Sequence, residues 1–232
     1  MMASIMTLFA VCFMHAADQK SGSSSRVMSL VDIETDDPQG YAVWIKQWNA
    51  AAKAKFGVEP YLRVYETWFD GTRSGKIRVS SSAPTYAELQ KMNAALEADP
   101  AVIAVRGHLS HVRKQGARTL YQSVRYEQNH AKQYNWFGTY VIPDETAFLQ
   151  VFNELRGIYD NNGFKDIKLN FWRVIAGRRD HSHRIVVGAP SAERLAAMID
   201  FGATHPQMLA YFAKTANLRT VVENGTVREI TR

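Results

Sequence analysis

The chain has 232 residues, 46% of them hydrophobic and 22% charged, with a net charge of +6 and a mean hydropathy of -0.26. That composition suits a folded globular protein, and no apolar run reaches the roughly 20 residues a spanning helix needs, which excludes a polytopic membrane protein. The 28 Lys and Arg residues are scattered, densest at Arg113-Lys114 with Arg118 and at Arg178-Arg179. No zinc-finger, basic-zipper or RNP-like spacing accompanies them, so nucleic acid is not an expected partner.

Taken in chain order, residues Ile5 to Met14 form a short apolar core. Small residues follow at Ala16-Ala17, then the polar run from Asp18 to Ser25. This is the order of an export signal, so residues 1–17 are expected to be a cleaved leader and 18–25 a flexible segment, in a periplasmic or secreted protein. The alternative is cytoplasmic: residues 1–7 carry no Lys or Arg, and a start at Met14 or Met28 would remove the leader. The single cysteine, Cys12, falls inside that leader. Disulfides, Cys-based metal sites and Cys nucleophiles are therefore not expected in the folded body.

From Arg26 onward the chain matches itself when shifted by 106 residues. Gly57 falls on Gly163, Gly71 on Gly177, Arg78 on Arg184, Ala83-Pro84 on Ala189-Pro190, Leu89 on Leu195 and Pro100 on Pro206. Prolines and glycines fix helix starts and turns, so their coincidence without an insertion predicts two copies of one unit. The copies are residues 26–127 and 132–232, with a hinge at 128–131.

Each copy predicts the same elements. A strand at 26–35, or 135–142, precedes a helix whose apolar positions (Tyr41, Trp44, Ile45 and Trp48; Phe148, Val151, Phe152 and Leu155) recur at helical spacing. Both helices are expected to end at a glycine, Gly57 and Gly163. A strand pair follows, 61–69 with 76–81 and 167–175 with 181–187. Then come a helix opened by Pro84 or Pro190, a short helix after Pro100 or Pro206, and a closing strand at 118–126 or 220–230. The predicted class is α+β, two ferredoxin-like β-α-β-β-α-β units.

Several strands carry large apolar residues on both alternations, as in Tyr61, Tyr65 and Phe69 against Leu62, Val64 and Trp68. A sheet with one wet face would alternate more cleanly, so both faces are expected to be covered. This length, element order and extra helix before the last strand resemble a dimeric α/β-barrel domain. That superfamily includes antibiotic-biosynthesis-monooxygenase-like and stress-responsive A/B-barrel proteins. The resemblance implies two units packed sheet to sheet, here within one chain as a pseudo-dimeric barrel. It also implies a cofactor-independent, monooxygenase-like reaction on a small aromatic or hydrophobic molecule in the barrel.

The barrel interior is the expected pocket, aromatic-lined with few polar groups. His181 and His183 are the candidate catalytic pair, because residues i and i+2 of a strand share a face and two imidazoles could converge there. Tyr65, Trp68, Trp136, Tyr140 and Arg173 are the candidate substrate-binding residues. The repeated pair Arg78 and Arg184 could hold a carboxylate of a ligand or of the protein. Two alternatives remain open: a binding module for haem or a hydrophobic metabolite, and a structural domain with a filled core. Exposed strand edges could recruit a second chain.

Overall fold

The structure, a computed structural model, describes residues 25–58, 61–69, 76–127 and 133–231. The expected leader, most of the polar segment after it, the expected turn at Asp70-Gly71 and the expected hinge at 128–131 lie outside the described residues. Among those described, eight strands and six α-helices follow one another as β1 (Val27–Glu34), α1 (Pro38–Phe56), β2 (Leu62–Phe69), β3 (Lys76–Ala83), α2 (Tyr86–Glu97), α3 (Pro100–Val112) and β4 (Lys114–Arg125). The order then repeats as β5 (Tyr134–Val141), α4 (Glu145–Asn161), β6 (Lys168–Ala176), β7 (His183–Ala189), α5 (Ala192–Thr204), α6 (Pro206–Thr215) and β8 (Thr220–Glu229).

Local chemistry sets the helix ends. Asp37 caps α1 by accepting from the Gly40 amide, with Pro38 at the first turn, and Gly57 closes it at φ +68°. Thr85 and Glu88 form a reciprocal capping box on α2, so this helix starts just after Pro84 rather than at it. Asp99 accepts from the Ala101 amide at the start of α3. Helix α4 ends at Asn161, and Gly163 supplies the left-handed residue two positions later, at φ +84°.

All eight strands join in one closed antiparallel barrel, in the order β1-β3-β2-β8-β5-β7-β6-β4. The seams are β2–β8, where Tyr65 pairs Glu229 and Thr67 pairs Val227, and β4–β6, where Tyr121 pairs Val174 and Gln122 pairs Arg173. Closure corrects the expectation of exposed edges: every described strand has two neighbours, so none is left to template another chain. β4 starts four residues earlier than its pattern predicts, because Lys114 and Gln115 continue the ladder against Glu34 and Ile33 past an irregularity in β1. β7 starts two residues later than predicted, at His183.

The strands are two-faced because each face meets something different. Outward residues pack under the helices: Leu169, Phe171, Ile185 and Val187 join Phe148, Phe152, Leu155 and Tyr159 of α4 in one cluster. Val31, Ile33, Ile77 and Val79 meet Tyr41 and Ile45 of α1 in another. The alternate residues point inward, where Leu30, Tyr121 and Trp172 form a small apolar cluster of their own.

Candidate functional site

Alternation places Leu30 (β1), Arg63 and Tyr65 (β2), Arg78 and Ser80 (β3), Asn135 and Phe137 (β5), Asn170 and Trp172 (β6), Arg184 and Val186 (β7) and Val227 (β8) around one cavity of about 130 Å³ inside the barrel. A space of roughly 150 Å³ is enough to bind benzene, so this cavity has the scale of one aromatic ring. Its walls correct one expectation. The interior is aromatic, but it is also strongly polar, with four arginines (Arg26, Arg63, Arg78 and Arg184) and no carboxylate side chain among the residues that line it.

Phe137 forms the floor, fully buried, with the guanidinium carbons of Arg78 and Arg184 lying 4.2 and 4.3 Å from its ring centroid. Arg78 is ion-paired on its far side, to Asp32 at 3.3 Å and to Glu223 at 2.5 Å. Arg63 pairs with Glu229 at 3.1 Å. Burial and then the charge on Glu229 push the Tyr65 phenol above its ordinary range.

Below that floor lies a narrower space bounded by Asp32, Tyr121, Thr139, Arg178, His181 and Glu223, with Arg78 and Arg184 shared between the two. Here the Tyr121 hydroxyl lies 2.8 Å from His181 Nε2, and His181 Nδ1 lies 2.7 Å from Asp180 Oδ1. Burial works against the Asp180 carboxylate, but its hydrogen bonds to Arg178 and His181 outweigh that and lower it to about 2. Ionised Asp180 can only accept, so Nδ1 carries the proton. Burial holds His181 itself below its usual value, against the pull of Asp180. The neutral ring therefore presents a lone pair at Nε2, and Tyr121 donates to it. Burial raises the Tyr121 phenol while Arg184 and Arg78 act in the opposite direction.

His183 does not join this chain. It points outward, stacks on Phe171 at 5.1 Å, and its Nε2 donates to Glu145 Oε2 at 2.8 Å. That hydrogen bond is the main reason the Glu145 carboxyl is held below its ordinary value. The expected convergence of the two imidazoles fails because the strand begins only at His183. His181 lies before it, past the bend at Ser182, and strand alternation does not extend back to it. With His183 Nδ1 2.8 Å from Ser182 Oγ, all four ring nitrogens of the pair are engaged. Neither imidazole offers a free nitrogen to a metal or a haem iron. Among the described residues no group of three or more His, Cys, Asp or Glu is placed to hold a metal ion.

Of the five expected binding residues, the structure puts Tyr65 on the cavity wall and the other four outside it. Trp136 and Tyr140 lie on the helix side of β5, folded over Gly138, where a Cβ would collide with both. Tyr140 is pushed up to about 12 by burial, against the nearby Arg219. Trp68 packs on Tyr134 at 5.4 Å and under Arg228 on the barrel's outer surface, bridging the β2–β8 seam. Arg173 faces outward to Glu145 at 2.7 Å. Sequence reasoning missed Phe137, Tyr121, Asp180, Asn135 and Asn170. The signal for the two asparagines was present: a polar residue between large apolar ones on β5 and β6 marks the inner face. Tyr121 and Asp180 carry no local mark, since only barrel closure brings them together.

A second gap of about 170 Å³ lies outside the barrel, between β1, β3 and the helices α1 to α3. Its charged groups are already matched or wet: Arg113 donates to Tyr41 at 3.0 Å, Arg106 pairs with Glu97 at 3.5 Å, and Arg118 is exposed.

No protein-family model and no curated protein sequence matches the chain. Solved structures do. A candidate monooxygenase from Fusobacterium nucleatum superposes with a TM-score of 0.59 at 9% identity, covering 89% of this chain and 93% of that one. An anthrone oxidase-like protein gives 0.53 at 12% identity, covering 88% and 90%. Chlorite dismutase from Candidatus Nitrospira defluvii gives 0.52 at 10% identity, covering 90% and 93%. At these identities the likeness shows a shared barrel fold over about nine tenths of the chain, and no more than the fold.

Proposed function

We propose that the protein is a small-molecule oxidoreductase of monooxygenase-like type that works on a one-ring aromatic compound inside the barrel. The observation that carries this reading is the ring-sized cavity walled by Trp172, Phe137 and Tyr65 beside the space that holds the Tyr121–His181–Asp180 chain, with which it shares Leu30, Arg78 and Arg184. Fold neighbours named for oxygenase and oxidase chemistry support the reaction class by analogy. In this reading Tyr121, which lines the adjoining narrower space, takes the proton released from the ring across the boundary the two spaces share at Leu30, Arg78 and Arg184. It passes its own to His181 Nε2, while Asp180 holds the imidazole in the tautomer that can accept it. The Arg184 charge, which acts to lower the Tyr121 phenol, favours the phenolate formed in that exchange. With hydroquinone and dioxygen the products would be hydroxybenzoquinone and water, one oxygen atom entering each.

The same reading treats residues 26–127 and 132–232 as two like units whose sheets close on each other, each supplying one half of the cavity wall. Arg78 and Arg184, matched in the repeat and both beside Phe137, support that pairing.

Oxygen uptake with hydroquinone, catechol and 2,5-dihydroxybenzoate tests the proposal. We expect consumption with at least one of them, reduced 10-fold or more in Tyr121→Phe with thermal stability preserved, as losing a general acid–base group would give. No consumption by the folded wild type, or equal rates in Tyr121→Phe, contradicts it.

A further inference from the structure

We infer that the ligand of the barrel cavity carries a carboxylate, which the buried guanidinium of Arg184 holds with help from Arg78, while the ring lies against Trp172. The inference rests on the reading that the barrel interior is the site, and adds the chemical class of its occupant.

Arg184 is 5% exposed and faces the cavity. Among the described residues no carboxylate lies within ion-pair distance of it, whereas the equally buried Arg78 has Asp32 and Glu223, and the half-buried Arg63 has Glu229. The charges of Glu223 and Asp32 favour the Arg184 cation, but burial and then the like charge of Arg78 work against it more strongly. The Phe137 ring offsets part of the cost of taking this cation out of water, but one aromatic face does not replace a counter-ion. Arg78 adds a second signal, since its Nη1 is buried without a hydrogen-bond partner. A planar guanidinium presents a fork that matches a carboxylate in two parallel hydrogen bonds.

The rest of the wall fits the same occupant. Asn135, Asn170, Ser80 and Ser82 supply neutral polar groups, and no acidic side chain lines the cavity to repel an anion. Arg26 stands on the same wall, its Nη2 bonded only to Ser82 and its Nε buried without a partner. It adds positive potential to the wall that a carboxylate would approach. A neutral ring of the same size would fill the space and leave Arg184 uncompensated.

The test is binding, which needs no turnover. Benzoate and benzamide have the same ring and nearly the same shape and differ in charge. Titrated into the full-length protein and followed by calorimetry, benzoate should bind at least 10-fold more tightly than benzamide. Arg184→Met should lose benzoate binding by 10-fold or more, Arg184→Lys should lose less, and benzamide should be nearly indifferent to both. Because Arg184 has no ion-paired partner to strand, Arg184→Met should fold with an unchanged or higher melting temperature. Equal affinity for the two ligands, no benzoate binding by the folded wild type, or undiminished benzoate binding in Arg184→Met overturns the inference. Benzoate binding without any oxygen uptake would sink the proposed reaction and leave this inference standing. Uptake that shows no preference for 2,5-dihydroxybenzoate over hydroquinone would do the reverse.

Discussion

His181 is held neutral by where it sits. Its folded value lies below 6.5, mainly through burial, with Asp180 pulling the other way. As pH falls below 6.5 the unfolded chain binds a proton that the folded chain resists, so stability declines with acidification through that window. Above 6.5 both states are neutral at this residue and the effect vanishes. Urea titrations at a series of pH values should therefore show wild type losing stability just below pH 6.5, with the loss reduced in His181→Gln. Parallel curves for the two proteins would mean that His181 is not the group responsible. The chemistry depends on the same neutrality, since a protonated ring cannot accept from Tyr121. At this scale the sequence was legible only in part. Arg78 and Arg184 stood out as a repeated pair on strands. Which neighbours they meet, Phe137 and the acids Asp32 and Glu223, depends on contacts between strands far apart in the chain.

The elements were legible wherever turn and cap chemistry acts locally. Proline at 38, 100 and 206, caps at Asp37, Thr85 and Ser191, and left-handed glycines at 57 and 163 fix the helices with little help from elsewhere. The strand ends were less so, because pairing sets them: β4 extends to Lys114 along β1, and β7 waits until His183. That two-residue difference is what separates the imidazoles. Gly177, in the turn from β6 to β7, shows how tightly an element can be tied to a seam. Its φ is +104°, and a Cβ there would collide with the Arg118 carbonyl of β4, whereas Gly163, also at positive φ, has open space around it. Both substitutions to Ala carry backbone strain, but only Gly177→Ala adds the collision. Urea unfolding should show Gly177→Ala destabilised by more than about 1 kcal/mol and by more than Gly163→Ala. An equal or smaller cost at Gly177 would mean that the turn is not pressed against β4.

At the scale of the molecule, eight strands whose outer faces are covered by helices close into one barrel, and closure creates an interior that no strand pair has alone. The two-faced strands made burial of both faces legible in the sequence. They did not say which face turned inward, because leucine and tryptophan serve a helix-packed face and a barrel wall equally well. For that reason Trp136, Tyr140 and Arg173 were expected inside and lie outside, while Phe137, Asn135 and Asn170 line the cavity. The interior departs from an ordinary core by its four arginines and its open ring-sized space, which mark it as the candidate site. The most direct test is a crystal structure of the protein grown with benzoate. The account predicts the ring inside the barrel against Trp172 with its carboxylate on Arg184. Benzoate lodged instead in the outer gap beside Trp48, with the barrel interior closed by rearranged side chains, would contradict it.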